Sequence, residues 1–157
     1  MSEENKALFR RWFEEVWNQG RAEAIEEMFD EEGVAHGLAG EGGAGLRGPA
    51  QFREFHRSFR DAFPDIRVTV EDVIAEGDKV AGRCSARATH RSAALGFAAT
   101  DRAVDFGGMC IVRVRDGRIV EAWNTFDFLA MYQQLGVVQG VQPAAPAAYD
   151  EPLPSAD

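Results

Sequence analysis

Residues 113–128 read RVRDGRIVEAWNTFDF. Two runs of alternating apolar and polar residues flank Arg115-Asp116-Gly117, the pattern of a β-hairpin. Which side chains share a face depends on the length of that turn. A two-residue turn pairs Val114 with Ile119 and sets Arg113 on the face of Val120 and Ala122. A three-residue loop, with Gly117 left-handed at a bulge, pairs Val114 with Arg118. That second register gathers Cys110, Val112, Val114, Val120, Ala122, Asn124 and Phe126 on one face. Ile111, Arg113, Ile119, Glu121, Trp123 and Thr125 fall on the other. A one-residue slip exchanges the faces, so the cleaner apolar pattern favours the three-residue loop. Asn124 then stands on the apolar face, where a buried amide either satisfies the backbone or serves a pocket.

Upstream of the hairpin, residues 79–90 read as a strand entered through the turn Glu76-Gly77-Asp78. Val80, Gly82, Cys84, Ala86, Ala88 and His90 share one face of it. Most are small, which leaves room under a covering layer for aromatic rings or for a ligand. Ile66, Val68 and Val70 alternate in an earlier strand. Before them the period is helical. Leu8, Phe9, Trp12, Phe13, Val16 and Trp17 form one stripe, with Ser2 as a candidate cap and Gly20 as a left-handed stop. Ala24, Ile25, Met28 and Phe29 predict a short second helix closed by Gly33, and residues 34–36 a short strand. Pro49 opens a third helix striped by Phe52, Phe55, Phe59 and Phe63, and Pro64 stops it. A last helix runs from about Asp127 to Leu135, with Gly136 as its cap.

Helices first, then strands joined by short turns, predict an α+β fold. Its mostly antiparallel sheet is covered on one face by about three N-terminal helices, with a short C-terminal helix. Residues 1–138 are expected to form one domain. Residues 139–157, rich in Pro and Ala and without period, are expected to be disordered.

The net charge of −9 argues against nucleic acid and anionic membrane as partners, since both need a basic footprint. MSEENK carries no apolar run of a secretory signal, and no stretch approaches the length of a membrane helix. The only cysteines, Cys84 and Cys110, lack CxxC spacing, so neither a disulfide scaffold nor a zinc site is expected. The cytoplasm is the expected location, and no metal is called for. Gly40-Glu41-Gly42-Gly43-Ala44-Gly45 spells GxGxxG, yet it lacks the strand before and helix directly after that a dinucleotide site needs. It reads as a rim or lid.

Several residues are candidates for chemistry. Asn124 could orient a substrate oxygen. His36 and His90, each at a strand end beside a loop, are candidate general bases. Asp127 is either the N-cap of the last helix or a catalytic carboxylate. His56 lies one residue off the stripe of the third helix and either lines a pocket or faces solvent. Trp17, Phe55, Phe59 and Phe126 are core by default and substrate-binding walls if a cavity exists. Cys110 reads as a small residue of the same face.

VWNQGR (16–21), RGPAQFREFHRSFRDAFPDIRV (47–68), ATDR (99–102), RDGRIVEAWN (115–124) and FLAMYQQLG (128–136) occur in an order and spacing that resemble the SnoaL-like polyketide cyclases. These belong to the nuclear transport factor 2-like superfamily, and the resemblance spans residues 5–137. It implies a cone-shaped curved sheet wrapped around helices, an apolar pocket, a site without cofactor, and assembly as a dimer or tetramer. It also implies ring closure by an intramolecular aldol reaction. The family's catalytic aspartate falls on Asn124, and a second polar pocket position falls on Cys110. A family histidine matches at His90 and an acidic residue at Asp127. Because an amide does not titrate near neutral pH, Asn124 is expected to steady an enolate oxygen while a histidine takes the proton.

The expected function is therefore a cofactor-free enzyme that binds a small or polycyclic apolar carbonyl compound and moves a proton at carbon. One alternative is a non-catalytic binding protein for a small apolar molecule. Another is an epoxide hydrolase on the same fold, which needs an inward Asp–Arg–Asp set. The mixed face of Ile111, Ile119 and Trp123 with Arg113 and Glu121 predicts a homodimer through the outer sheet face.

Overall fold

The computed structural model of the chain describes residues 2–38 and 44–138. The Pro/Ala tail and most of the GxGxxG stretch, Gly40 to Gly43, lie outside the described residues. Helix α1 (Ser2–Arg11) continues as a π-helical stretch over Trp12–Asn18. Helix α2 (Glu23–Met28) runs directly into β1 (Phe29–His36). A two-residue β2 (Leu46–Arg47) precedes α3 (Gly48–Ala62). Strands β3 (Arg67–Glu76), β4 (Lys79–Thr89), β5 (Ala103–Arg115) and β6 (Arg118–Phe126) follow, and α4 (Phe128–Leu135) ends the fold. The six strands form one curved open sheet in the order β2-β1-β6-β5-β4-β3. Every pairing is antiparallel except β1 with β6, which is parallel. This is the α+β, mostly antiparallel architecture that the sequence predicts. Among the described residues no helix is long and apolar enough to cross a membrane.

The hairpin at residue 116 differs from its expected form. Asp116 and Gly117 both have positive φ, 51° and 74°, which is a two-residue turn of type I′. Val114 therefore pairs with Ile119, not with Arg118. A bulge follows at once, because Arg113 pairs with Glu121 and leaves Val120 as the extra residue. On its other side the Val114 N–H donates to the Asp78 carbonyl at 2.7 Å. Ile119 thus turns inward and is only 2% exposed, while Val120 leaves the inner face. Beyond the bulge the faces return to their expected places. Val112 pairs with Ala122, Cys110 with Asn124 and Gly108 with Phe126. Asn124 reaches the helix-covered face, by a different register from the expected one.

The first strand is also longer than expected. Phe29 begins β1 instead of ending α2, and Gly33 lies inside the strand where its pairing with β6 shifts. A Cβ on Gly33 would meet the Phe29 ring at 3.0 Å, so the glycine lets the strand fold over that ring.

On β4 the alternation is as expected, with Val80, Gly82, Cys84, Ala86 and Ala88 buried. Part of the room beneath them is filled. A Cβ on Gly82 would lie 2.3 Å from the Phe9 ring, and one on Gly108 would lie 2.4 Å from Phe126. The glycines seat two aromatic rings, and what remains open lies between them.

Candidate functional site

The open space is a cavity between the inner sheet face and the helices. Its helical wall begins in the first stripe. In an α-helix, residues five apart point about 140° away from each other, at roughly 100° per residue. Trp12 and Trp17 are five apart, and both line the cavity. The π-helical stretch reconciles the two, because its i→i+5 bonding brings such residues onto one side. The Gln19 N–H donating to the Glu14 carbonyl at 2.9 Å is one such bond. Asn18 then clamps this stretch to β3, with Nδ2 donating to the Val68 carbonyl at 2.9 Å and Oδ1 accepting the Val68 N–H at 2.6 Å. Helix α3 supplies Phe52, Phe55 and Phe59 from its predicted stripe, packed edge-on around Trp17.

The sheet supplies the opposite wall, with Ala86 from β4, Phe106, Cys110 and Val112 from β5, and Ile119, Ala122, Asn124 and Phe126 from β6. The volume open to the centre of a water-sized molecule is about 60 Å³. One water needs roughly 10–15 Å³ by that measure, so the space is a slot for several waters or for a flat ring. Among the described residues no carboxylate and no imidazole lines it, and Asn124 is its one amide.

Asn124 is held by its neighbour strand. Nδ2 donates to the His36 backbone carbonyl at 3.0 Å. The two strands come so close here that a Cβ on Gly37 would lie 2.0 Å from the Asn124 carbonyl oxygen. Gly37 has φ of 84°, in the left-handed region. The sequence offers no sign of this contact, since it depends on the parallel pairing of β1 with β6.

Trp17, Phe55, Phe59, Cys110, Phe126 and Asn124 all line the cavity, while the candidate bases do not join them. His36 stands on the outer sheet face because Ala35 takes the inner one. Its ring stacks on Trp123 at 5.9 Å, and Nε2 meets Glu121 Oε2 at 2.9 Å. His90 is on the inner face but fully buried beyond the cavity lining, between the Phe63 and Phe97 rings. Its Nδ1 lies 3.1 Å from the Thr100 backbone N–H and 3.0 Å from Thr100 Oγ1, and its Nε2 is buried without a partner among the described residues. Neither nitrogen faces the cavity lining. Asp127 caps α4, its Oδ1 accepting the Ala130 N–H at 3.0 Å. Cys110 lines the cavity, but burial pushes its thiol well up, and that of Cys84 to about 11, so neither is a thiolate near neutral pH.

His56 neither lines the cavity nor faces solvent. It is 4% exposed, and its Nε2 donates to the Val16 carbonyl at 2.7 Å. Burial lowers its pKa, the Val16 carbonyl opposes that, and Arg60 and Arg53 add to the lowering. Folding therefore favours the neutral ring. The stabilising contribution is complete above the unfolded value near 6.5 and is lost as the pH falls below it. The slope there is about 1.4 kcal/mol per pH unit. His56→Gln, whose amide can still reach Val16, should flatten the fall in melting temperature between about pH 7.5 and 5.5. Equal pH dependence in the variant and the native chain would refute this role.

Comparison with known proteins places these features. The family model for SnoaL-like polyketide cyclase matches residues 7–135. IdmH from Streptomyces antibioticus, a candidate polyketide cyclase, is 34% identical with a TM-score of 0.74. That match covers 85% of this chain and 99% of IdmH. A candidate polyketide cyclase from Bacillus cereus is 30% identical with a TM-score of 0.71, covering 86% of this chain and 82% of its own. AclR from Streptomyces galilaeus, a candidate hydroxylase, is 26% identical with a TM-score of 0.75, covering 89% and 85%. Among curated proteins no sequence match is found.

Proposed function

From a chain that belongs to the SnoaL-like polyketide cyclase family, we propose an enzyme that holds an apolar carbonyl compound in this cavity and promotes proton transfer at carbon. Aldol-type ring closure or isomerisation is the reaction class. The observation that carries this reading is the aromatic slot in which the one amide among the described lining residues, Asn124, sits where the resemblance puts the family's acid/base. Such a slot holds the two ends of a flexible chain in reacting geometry, and effective molarities of roughly 10⁵–10⁸ M are reached in well-oriented cases. Asn124 holds an oxygen and cannot itself take the proton. The native chain contributes binding and orientation, and a water admitted to the slot supplies the base.

The lack of a side chain that ionises near neutral pH in the described lining favours one second reading, binding without chemistry. Deuterium exchange at the activated carbon of β-tetralone separates the two. The enzyme reading expects exchange faster than in buffer when the ketone is bound. Saturable binding with exchange at the buffer rate would leave only the binding reading. Absence of binding would sink both. An inward Asp–Arg–Asp set, which epoxide hydrolysis would need, is not found among the described lining residues.

We propose in addition that two copies pair through the outer sheet face. Ile74, Ala81, Ile111, Trp123 and His36 lie in one row across five strands. Ile74 is 67% exposed and Ile111 43%. Trp123 is flanked by His36 and by Arg113, whose guanidinium sits 5.4 Å from its ring. Ile119, expected in this face, is not part of it. An exposed apolar row with a polar surround suits a subunit contact. Light scattering should give the mass of two chains at micromolar concentration, and Ile111→Asp should halve it. A monomer mass for the native chain would refute the pairing.

A further inference from the structure

The hydrogen bond from Asn124 to β1 decides what the cavity presents to a ligand. The His36 backbone carbonyl can only accept, so the nitrogen end of the Asn124 amide must face it. Oδ1 then takes the other direction. It makes no hydrogen bond to a described residue. The side chain stands on the inner sheet face and lines the cavity, opposite Cys110 on the neighbouring strand. A thiol is only a weak donor, so Cys110 does not occupy this oxygen. The rest of the wall is aromatic and aliphatic apart from the two indole N–H groups of Trp12 and Trp17.

We infer that the cavity recognises its ligand through a hydroxyl hydrogen, that of a phenol or an enol, accepted by Asn124 Oδ1. The inference deepens the proposed function and rests on that reading of the cavity. A ketone oxygen laid against Oδ1 would set lone pairs against lone pairs, whereas an enol or phenol O–H completes the contact. For an enolisable substrate the consequence is direct. The enol is the carbon-nucleophilic tautomer, and an acceptor that holds its O–H raises the enol's share of the bound population. No covalent bond to the protein forms in this, and the enol proton stays on the substrate oxygen.

The test is calorimetric titration of the native chain with three bicyclic molecules of one shape. These are α-naphthol, α-methylnaphthalene, which replaces the hydroxyl by a methyl group, and α-tetralone, which carries a ketone oxygen at the same position. A net hydrogen bond corresponds to roughly a 2- to 12-fold change in affinity. α-Naphthol should bind tighter than both others by about that factor. Asn124→Leu should lose the preference for α-naphthol over α-methylnaphthalene. The comparison of ligands on the native chain stands even if that variant does not fold. If α-methylnaphthalene binds and α-naphthol binds no tighter, the inference is overturned and the cavity reading survives. If α-tetralone matches α-naphthol, the contact is the second hydrogen of Nδ2, and the inference is again overturned. If none of the three binds up to its solubility limit, the reading of the cavity itself fails.

Discussion

Asn124→Asp is expected to speed deuterium exchange at the activated carbon of β-tetralone by about 10²–10⁴-fold over the native chain, the usual contribution of a positioned base. The substitution hardly changes volume, and it puts a carboxylate into a lining that has none among the described residues. Its ionisation will be resisted. The new carboxylate is enclosed by the cavity wall, and one of its oxygens faces the His36 carbonyl that now receives the amide N–H. Both effects favour the neutral acid and raise the pKa above the solution value of about 3.9. Exchange should therefore rise with pH through that raised pKa, since the ionised form is the base. Stability moves the opposite way. The folded state holds the proton more tightly than the unfolded one, so the variant loses stability as pH climbs from about 4 towards its folded pKa. An exchange rate equal to that of the native chain, with a carboxylate titrating at its solution value, would mean that residue 124 faces water.

Gly37→Ala is expected to lower stability by about 2–4 kcal/mol. A left-handed backbone costs an alanine about 1–2 kcal/mol. The added methyl would also sit 2.0 Å from the Asn124 carbonyl oxygen, nearer than any non-bonded contact, so β1 and β6 must part. Their separation endangers the hydrogen bond from Asn124 to His36, worth roughly 1 kcal/mol. At about 2–4 °C per kcal/mol for a chain of this size, the melting temperature should fall by roughly 4–16 °C. Binding of α-naphthol should weaken in the same variant, because Oδ1 loses its fixed direction. Gly117→Ala is the control. It too has positive φ, yet nothing lies within 4 Å of its added Cβ, so it should cost only the backbone term. Equal losses in the two variants would show that the contact with Asn124 does not matter.

What could be read from the sequence was what depends on local period. The inward alternation of Val80 to His90 needs only the two-residue repeat of a strand. The stripe of Phe52, Phe55 and Phe59 needs only a helical repeat, and all three reach the cavity. The family resemblance was legible for the same reason, since its segments keep their order and spacing. Features set by partners distant in the chain were not legible. Arg115-Asp116-Gly117 suits either turn length, and the bulge at Val120 shows only in how β6 pairs with β5. Phe29 continues the apolar pattern of α2, so the start of β1 shows only when β6 lies beside it. The histidines illustrate the limit for the site. His36 and His90 both end strands next to loops, and the sequence gives them the same prospects. One faces out because Ala35 faces in, and the other is enclosed by the segment that carries Phe97 and Thr100.

The most direct test of the account is a crystal structure of the native chain with α-naphthol bound. The account predicts the ring in the slot between Trp17 and the sheet, its hydroxyl oxygen about 2.5–3.0 Å from Asn124 Oδ1, and Nδ2 still on the His36 carbonyl. A ring bound elsewhere, or an Asn124 side chain turned away from the bound hydroxyl, would contradict it.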